Sequence, residues 1–179
     1  SASSDGGRVV VVTGGSRGIG RAACAAYAAR GDTVVVASRR AEACTALAAE
    51  LTAEHGTPAL GVGCHVGRWA DCDALVDRVL AEYGRIDVLV NNAGMSPLYG
   101  SLTEVTEELF DKVLAVNLRG AYRLGARCGE LMAAAGGGAI VNVSSVAAVM
   151  PGPGELPYAL AKAGLNALTV GLARAYAPS

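Results

Sequence analysis

The 179-residue sequence predicts an α/β fold built on a doubly wound parallel sheet. Three observations carry that expectation. Apolar runs without polar alternation recur along the chain, clearest at Val9-Val10-Val11-Val12, Val34-Val35-Val36 and Val88-Leu89-Val90. Runs of this kind suit strands that are covered on both faces. Stretches rich in Ala, Leu and Glu lie between them, and the alternation of strand and helix argues for parallel pairing. Glycines stand just ahead of the next strand at Arg30-Gly31, His55-Gly56 and Tyr83-Gly84, where a left-handed residue can end a helix.

Taken in order, the strands are expected from Arg8 to Thr13, Thr33 to Ser38, Ala59 to Cys64, Ile86 to Asn91 and Ala139 to Ser144. The longest helical stretch runs from about Val105 to Ala134 and is closed by Gly136-Gly137-Gly138. A last helix begins near Tyr158 and runs to about Ala175. The length accommodates one core and not two ordinary domains, so residues 1–179 read as a single domain. Hydrophobic residues at 52% against 17% charged exclude a disordered chain. Aromatics at 4% leave Val, Leu, Ala and Gly to build the core, which suits close packing of helix on sheet.

Charge and cysteine usage narrow the function classes. The net charge is −1 and no Lys/Arg run exceeds two residues, which gives no footprint for nucleic acid. The most apolar long stretch, Leu131 to Met150, is interrupted by glycines, Asn142 and serines, so no membrane span is expected. Ser1 to Gly7 is polar and lacks a secretory pattern. The five cysteines include no Cys-x-x-Cys pair and read as reduced thiols of a cytoplasmic protein. Cys64, His65 and Cys72 match no zinc spacing, and no metal is expected.

Thr13-Gly14-Gly15-Ser16-Arg17-Gly18-Ile19-Gly20 follows the first strand and opens the first helix. That context suits a dinucleotide loop. Gly14 permits the sharp turn, Gly18 lets backbone approach a diphosphate, and Gly20 lets the helix pack closely on the sheet. The N–H groups and positive dipole end of the helix then face the phosphates. The competing reading is a tight structural turn. Strand two ends Ala37-Ser38-Arg39-Arg40, with no carboxylate to bind a ribose 2′-OH or repel a 2′-phosphate. Arg39, Ser38 and Arg17 could hold that phosphate, or the arginines could be solvated surface charges. NADP(H) is favoured and NAD(H) is the alternative.

The Gly-x-x-x-Gly-x-Gly spacing, with its leading threonine and Gly-Ile-Gly ending, resembles the short-chain dehydrogenase/reductase family in its compact branch. That resemblance implies a Rossmann-type fold and hydride transfer between a nicotinamide cofactor and an alcohol or carbonyl substrate. Asn91-Asn92-Ala93-Gly94 matches the family's motif after the fourth strand, which lines the cofactor side of the site. Tyr158-Ala159-Leu160-Ala161-Lys162 matches its catalytic motif, with two residues four apart on one helix face. A phenol ordinarily titrates near pH 10 and a nearby ammonium favours the phenolate. Ser145, thirteen residues before Tyr158, and Asn117 in Val116-Asn117-Leu118 fall where the family carries its catalytic serine and asparagine. Ser144 competes with Ser145.

The resemblance implies a role for each. Tyr158 is general acid or base, Lys162 supports it and binds the nicotinamide ribose, Ser145 holds the substrate oxygen, and Asn117 holds a water that joins Lys162 to solvent. The cofactor-binding set implied is Gly14, Ser16, Arg17, Gly18, Ile19, Gly20, Ser38, Arg39, Val66, Asn92, Ala93 and Gly94, with Tyr158 and Lys162. The chain departs from the pattern at His65-Val66, where the family usually has Asp-Val against the adenine. The Val66 N–H could still serve the base; His65 accepts a hydrogen bond or is a surface residue.

Met95 to Ser101 and Val146 to Pro157 are the segments expected to face a small-molecule substrate, with Leu98, Tyr99, Val149, Met150 and Glu155 on offer. Family members form dimers or tetramers through the surfaces of the long helix and the last helix, so a homo-oligomer is expected. Further strands follow the last helix in the family, so the protein is expected to continue beyond Ser179. Three rival readings remain: a non-catalytic nucleotide sensor, an enoyl reductase with a longer Tyr-to-Lys gap, and an extended-branch epimerase.

Overall fold

A computed structural model describes residues 7–177; the expectations attached to residues 1–6, 178 and 179 lie outside that range. Five strands form one sheet: β1 (Val9–Thr13), β2 (Thr33–Ser38), β3 (Ala59–Gly63), β4 (Val88–Asn91) and β5 (Ala139–Asn142). Their order across the sheet is β3-β2-β1-β4-β5 and every neighbouring pair is parallel. The order reverses between β1 and β4, which makes the carboxyl ends of those two strands the switch point of the sheet.

Alternate residues of the valine runs serve two different cores. Val10, Val12, Val34, Val36, Val88 and Val90 meet Cys24 and Ala28 of α1 (Gly18–Ala28) and Cys44, Leu47 and Leu51 of α2 (Ala41–His55). Val9, Val11, Val35, Ala37 and Leu89 face the other way. They meet Leu75, Val76 and Val79 of α3 (Trp69–Tyr83) and Leu124, Cys128 and Met132 of α5 (Gly120–Ala134). That is why the runs do not alternate in polarity: both faces of β1, β2 and β4 are dry. All five cysteines are buried free thiols, and burial raises Cys24 and Cys128 to about 12.

Strand ends are shorter than expected. Pairing as strand begins at Val9 and at Val88, and ends at Gly63 and Asn142. Asp87 instead works as a connector: its carboxylate accepts from Val9 N–H at 2.7 Å and its own N–H donates to the Val9 carbonyl at 2.9 Å. Helices α2 and α3 end on Gly56 and Gly84 at φ +69° and +70°, as their sequence positions suggested.

The long helical stretch is not one regular helix. Thr106 caps α4 (Glu107–Leu114) by accepting from Leu109 N–H at 3.2 Å, and Val105 is extended ahead of it. Residues Ala115–Arg119 then form a π-helical turn before α5. The last helix, α6 (Leu156–Tyr176), starts two residues earlier than expected, because Pro157 is acceptable in the first turn of a helix. It packs against α5 and the π-turn. Among the described residues, no helix is long and apolar enough to cross a membrane.

Candidate active site

The site is built at the carboxyl ends of β1 and β4. Thr13 closes β1 and is fully buried. Its hydroxyl donates to the Val90 carbonyl at 3.3 Å and accepts from the N–H groups of Asn92 and Ala93, each at 3.1 Å. The Asn92 side-chain amide donates to the carbonyls of Thr13 and Gly14 at 3.0 and 3.2 Å. Asn91 reaches the other way and donates to Asn142 Oδ1 at 2.9 Å. The two asparagines therefore brace the glycine loop and β5 against β4. Both side chains spend their N–H donors on protein, so Asn92 shapes the floor of the site and Asn91 holds the sheet.

Gly14 has φ +63°, and a Cβ there would stand 2.9 Å from Ala93 Cα. Gly18, at φ +54°, is exposed and has nothing within 4 Å of where its Cβ would be, so the backbone there is open to approach. Gly20 was expected to bring the helix onto the sheet; its missing Cβ instead makes room for the Gly14 carbonyl and the Asn92 amide. The close approach to the sheet belongs to Gly15, which is buried 3.2 Å from Cys24 Sγ and 3.2 Å from Val36 Cγ1 as measured from an added Cβ. Arg17 stands at the N-cap of helix α1 and makes no side-chain cap, and the first turn holds no acidic residue. Free N–H groups, a positive helix end and the open backbone at Gly18 together fit a diphosphate.

Beyond β1, the end of β2 lies beside the glycine loop, with Gly15 N–H donating to the Ala37 carbonyl at 3.1 Å. Arg17 and Arg39 are exposed, and neither takes part in an ion pair among the described residues. Ser38 is half-buried with its Oγ 3.0 Å from Cys44 Sγ. Ile19 is exposed at 71%, an unusual position for an isoleucine at the mouth of a site. Past β3, the His65 ring accepts from Gly67 N–H at 3.2 Å, and Val66 is buried against Gly120.

The other half of the site gathers around α6. Lys162 is 3% exposed, and its ammonium donates to the Val143 carbonyl at 2.6 Å. Burial lowers its pKa from the ordinary lysine value. The ammonium lies 5.6 Å from the centroid of the Tyr158 ring, one turn earlier. Asn117 sits within the π-turn, 1% exposed. It accepts from Met95 N–H at 3.1 Å and donates to the Met95 and Val113 carbonyls at 2.8 and 2.9 Å. An added Cβ on Gly94 would stand 2.9 Å from Asn117 Oδ1 and 3.8 Å from Lys162 Nζ, so glycine keeps the gap between those two groups open.

Ser145 follows β5 and caps a short 3-10 turn, accepting from Ala147 N–H at 3.2 Å. Ser144 is exposed and its hydroxyl donates to Asn166 Oδ1 at 2.7 Å. The two segments expected to face substrate are stapled by Tyr99, whose hydroxyl donates to the Pro153 carbonyl at 3.3 Å and accepts from Leu156 N–H at 2.8 Å. Glu155 was offered as a charge facing that pocket. Its carboxylate instead accepts from Gly152 N–H at 3.1 Å and closes a turn. Leu98, Val146, Val149 and Met150 are exposed around this edge.

A family model for short chain dehydrogenases matches residues 8–179. The chain belongs to the short-chain dehydrogenase/reductase family. It is 40% identical over 171 residues to dehydrogenase/reductase SDR family member 4 of Pongo abelii, an alignment that covers 96% of this chain and 61% of that protein. The chain thus spans less than two thirds of the length of this relative. Among solved structures, L-sorbose reductase of Gluconobacter frateurii, complexed with NADPH and L-sorbose, superposes with a TM-score of 0.91 at 32% identity over 95% of this chain and 64% of that one. An NAD+-bound xylitol dehydrogenase superposes with a TM-score of 0.90 at 30% identity over 97% of this chain and 66% of that one.

Three structural contributors carry little signal in the sequence. Thr13 stands in the sequence as the leading residue of a motif, and its short, β-branched hydroxyl at a strand end is the available signal. Gly15 sits unmarked between two motif glycines. The π-turn left one trace, a polar Asn117 among apolar neighbours.

Proposed function

We propose that this chain carries the cofactor-binding and catalytic machinery of an NADP(H)-preferring oxidoreductase that interconverts an alcohol and a carbonyl compound. The observation that carries the proposal is a buried lysine one helical turn from Tyr158, set at the same sheet edge as an uncapped, glycine-lined helix start. Gly14, Ser16, Gly18, Ile19 and Gly20 would hold the diphosphate through backbone and shape. Ser38, Arg39 and Arg17 would take the 2′-phosphate, since no carboxylate stands at the end of β2. Val66, Ala93 and Gly94 would border the base and the nicotinamide half. The NADPH held by the sorbose reductase supports this preference, and the NAD+ held by the xylitol dehydrogenase supports NAD(H) as the second cofactor.

The cofactor, when bound, supplies or accepts the hydride. The chain's own residues manage the proton and the oxygen. In reduction the Tyr158 hydroxyl gives its proton to the carbonyl oxygen; in oxidation it takes that proton back. The Ser145 hydroxyl donates to the same oxygen as charge develops on it. Ser145 is preferred over Ser144 because the Ser144 hydroxyl is committed to Asn166. Lys162 lends positive charge to the Tyr158 phenolate. One of its protons holds Val143, and the others are available for a ribose hydroxyl. Burial loosens its hold on a proton, which suits a group that relays one.

Asn117 fixes Met95 and the π-turn, and the gap it shares with Lys162 over Gly94 suits a bridging water to solvent. A homo-oligomer formed through the α4–α5 and α6 surfaces is part of the proposal, as is a reducing, cytoplasmic setting for five free thiols. The test is oxidation of NADPH by the full-length protein across a panel of ketones, sugars and acyl thioesters. Turnover of any of them supports the reading, and no turnover with any member counts against it.

A further inference from the structure

We propose that Tyr99 is a positioning residue that sets the width of the substrate pocket, as a clasp between its two walls. The inference rests on the nicotinamide reading above, in which Met95 to Ser101 and Val146 to Pro157 flank the reacting carbonyl. The sequence offers Tyr99 as a group facing substrate, but its hydroxyl is spent on protein. It donates to the Pro153 carbonyl at 3.3 Å and accepts from Leu156 N–H at 2.8 Å. A phenol has a single proton to give. Tyr99 therefore has no donor left for a substrate oxygen and acts through the wall it holds.

Both bonds fall where that wall lacks other support. Helix α6 has no side-chain cap of its own, and Pro157 in its first turn has no N–H. Leu156 N–H, at the helix start, finds no partner inside the helix, so the Tyr99 hydroxyl caps α6 from across the pocket. The other hydrogen bonds of residues 146–155 are local: they close the turn after Ser145, the Gly152–Glu155 turn and the first turn of α6. Among the described residues, Tyr99 is thus the side chain that hydrogen-bonds this wall to the other. Pro151, Pro153 and Pro157 restrict the backbone between, so pinning residues 153 and 156 pins the wall.

The Tyr99 side is itself anchored. Four residues earlier, Met95 is held by Asn117 through its N–H and its carbonyl, at 3.1 and 2.8 Å. Asn117 is buried in the π-turn. The chain from Met95 to Tyr99 therefore ties a buried element to the start of α6, two residues ahead of Tyr158. Exposed apolar side chains stand on both walls, Leu98 on one and Val149 and Met150 on the other, and the clasp spaces them. With the clasp closed, the gap admits a substituent on the carbonyl up to one size. Without the hydroxyl the walls part: a bulky substituent gains room and a well-fitting one loses contact.

The test compares full-length wild type with Tyr99→Phe, which keeps the ring and deletes the hydroxyl. NADPH binding is followed by nicotinamide fluorescence. Steady-state kinetics use the best-reduced member of the carbonyl panel and a homologue bulkier beside the carbonyl, and backbone hydrogen exchange is followed across residues 149–156. In Tyr99→Phe, KM for the best substrate should rise about tenfold with kcat within about threefold. The preference over the bulkier homologue should shrink by about tenfold, and exchange across 149–156 should quicken by about tenfold. Kd for NADPH and Tm should stay near wild type, which separates a clasp from a general loss of structure. A preference within about twofold of that of wild type overturns the proposal, as does exchange across 149–156 no faster than in wild type. Absence of NADPH binding by wild type would instead overturn the nicotinamide reading. If wild type bound NADPH but reduced no member of the panel, the exchange comparison would still decide whether Tyr99 holds the wall.

Discussion

Replacing Thr13 with valine keeps the shape of the side chain and deletes one hydroxyl. That hydroxyl makes three hydrogen bonds: one donated to Val90 and two accepted from Asn92 and Ala93. Thr13 itself is 1% exposed, so no water can take its place. Each buried polar group left without a partner costs about 1–3 kcal/mol. The two N–H groups are only part-buried, so the low end applies to them, and the sum is about 3 kcal/mol. Thermal denaturation of the full-length protein should show Tm lower by about 5–10 °C. Thr13→Ser, which keeps the hydroxyl and loses a methyl, should cost only about 1 kcal/mol. The glycine loop is braced through the same network, so NADPH affinity should fall in Thr13→Val and persist in Thr13→Ser. A Thr13→Val protein within about 0.5 kcal/mol of wild type would refute the reasoning, because that is the range of an ordinary surface change.

Three further outcomes are expected. Ser145→Ala should lower kcat/KM by about 100-fold or more, whereas Ser144→Ala should stay within about threefold because its hydroxyl serves Asn166; the reverse pattern would exchange their roles. Ser38→Asp combined with Arg39→Leu should turn a preference for NADPH into one for NADH, since each lost charge-assisted contact is worth about 10–100-fold; equal kcat/KM values for both cofactors in wild type would contradict the phosphate assignment. Asp32 is held below the usual carboxylate range by hydrogen bonds from Arg8, at 2.8 and 3.1 Å from its side chain. A depressed folded pKa means stability that is present above the unfolded carboxylate value and lost as pH falls through the folded one. Asp32→Asn should therefore cost about 1–2 kcal/mol at pH 7, and urea unfolding should show that gap closing below about pH 4. A gap that widened on acidification would reverse the sign.

Much of this arrangement was legible from residue order. The valine runs announced strands covered on both faces because each face of β1 and β2 meets a helix. Glycines at 56 and 84 ended α2 and α3 for the stereochemical reason that marked them. The Tyr158–Lys162 spacing put both groups one turn apart because a helix has no other way to place them. Other features depend on contacts that residue order does not carry. The π-turn around Asn117 arises where α4 passes into α5 over Met95, and local propensity reads the stretch as one helix. Glu155 stands among the pocket residues in the sequence, yet one of its carboxylate oxygens accepts a neighbouring N–H in a tight turn, a contact residue order does not announce. The close packing expected at Gly20 falls also to Gly15, for which the sequence marked no role, since which glycine meets the sheet depends on how the loop rises from β1.

The central claim is that a phenolic proton on Tyr158 completes a hydride transfer. It is tested most directly by comparing full-length wild type with Tyr158→Phe, which keeps the ring and removes only the hydroxyl. NADPH oxidation with a carbonyl substrate and NADPH binding would be measured on the same preparations. The account predicts kcat lower by about 100-fold or more with Kd for NADPH nearly unchanged; a Tyr158→Phe protein that turns over at the wild-type rate at neutral pH would contradict it.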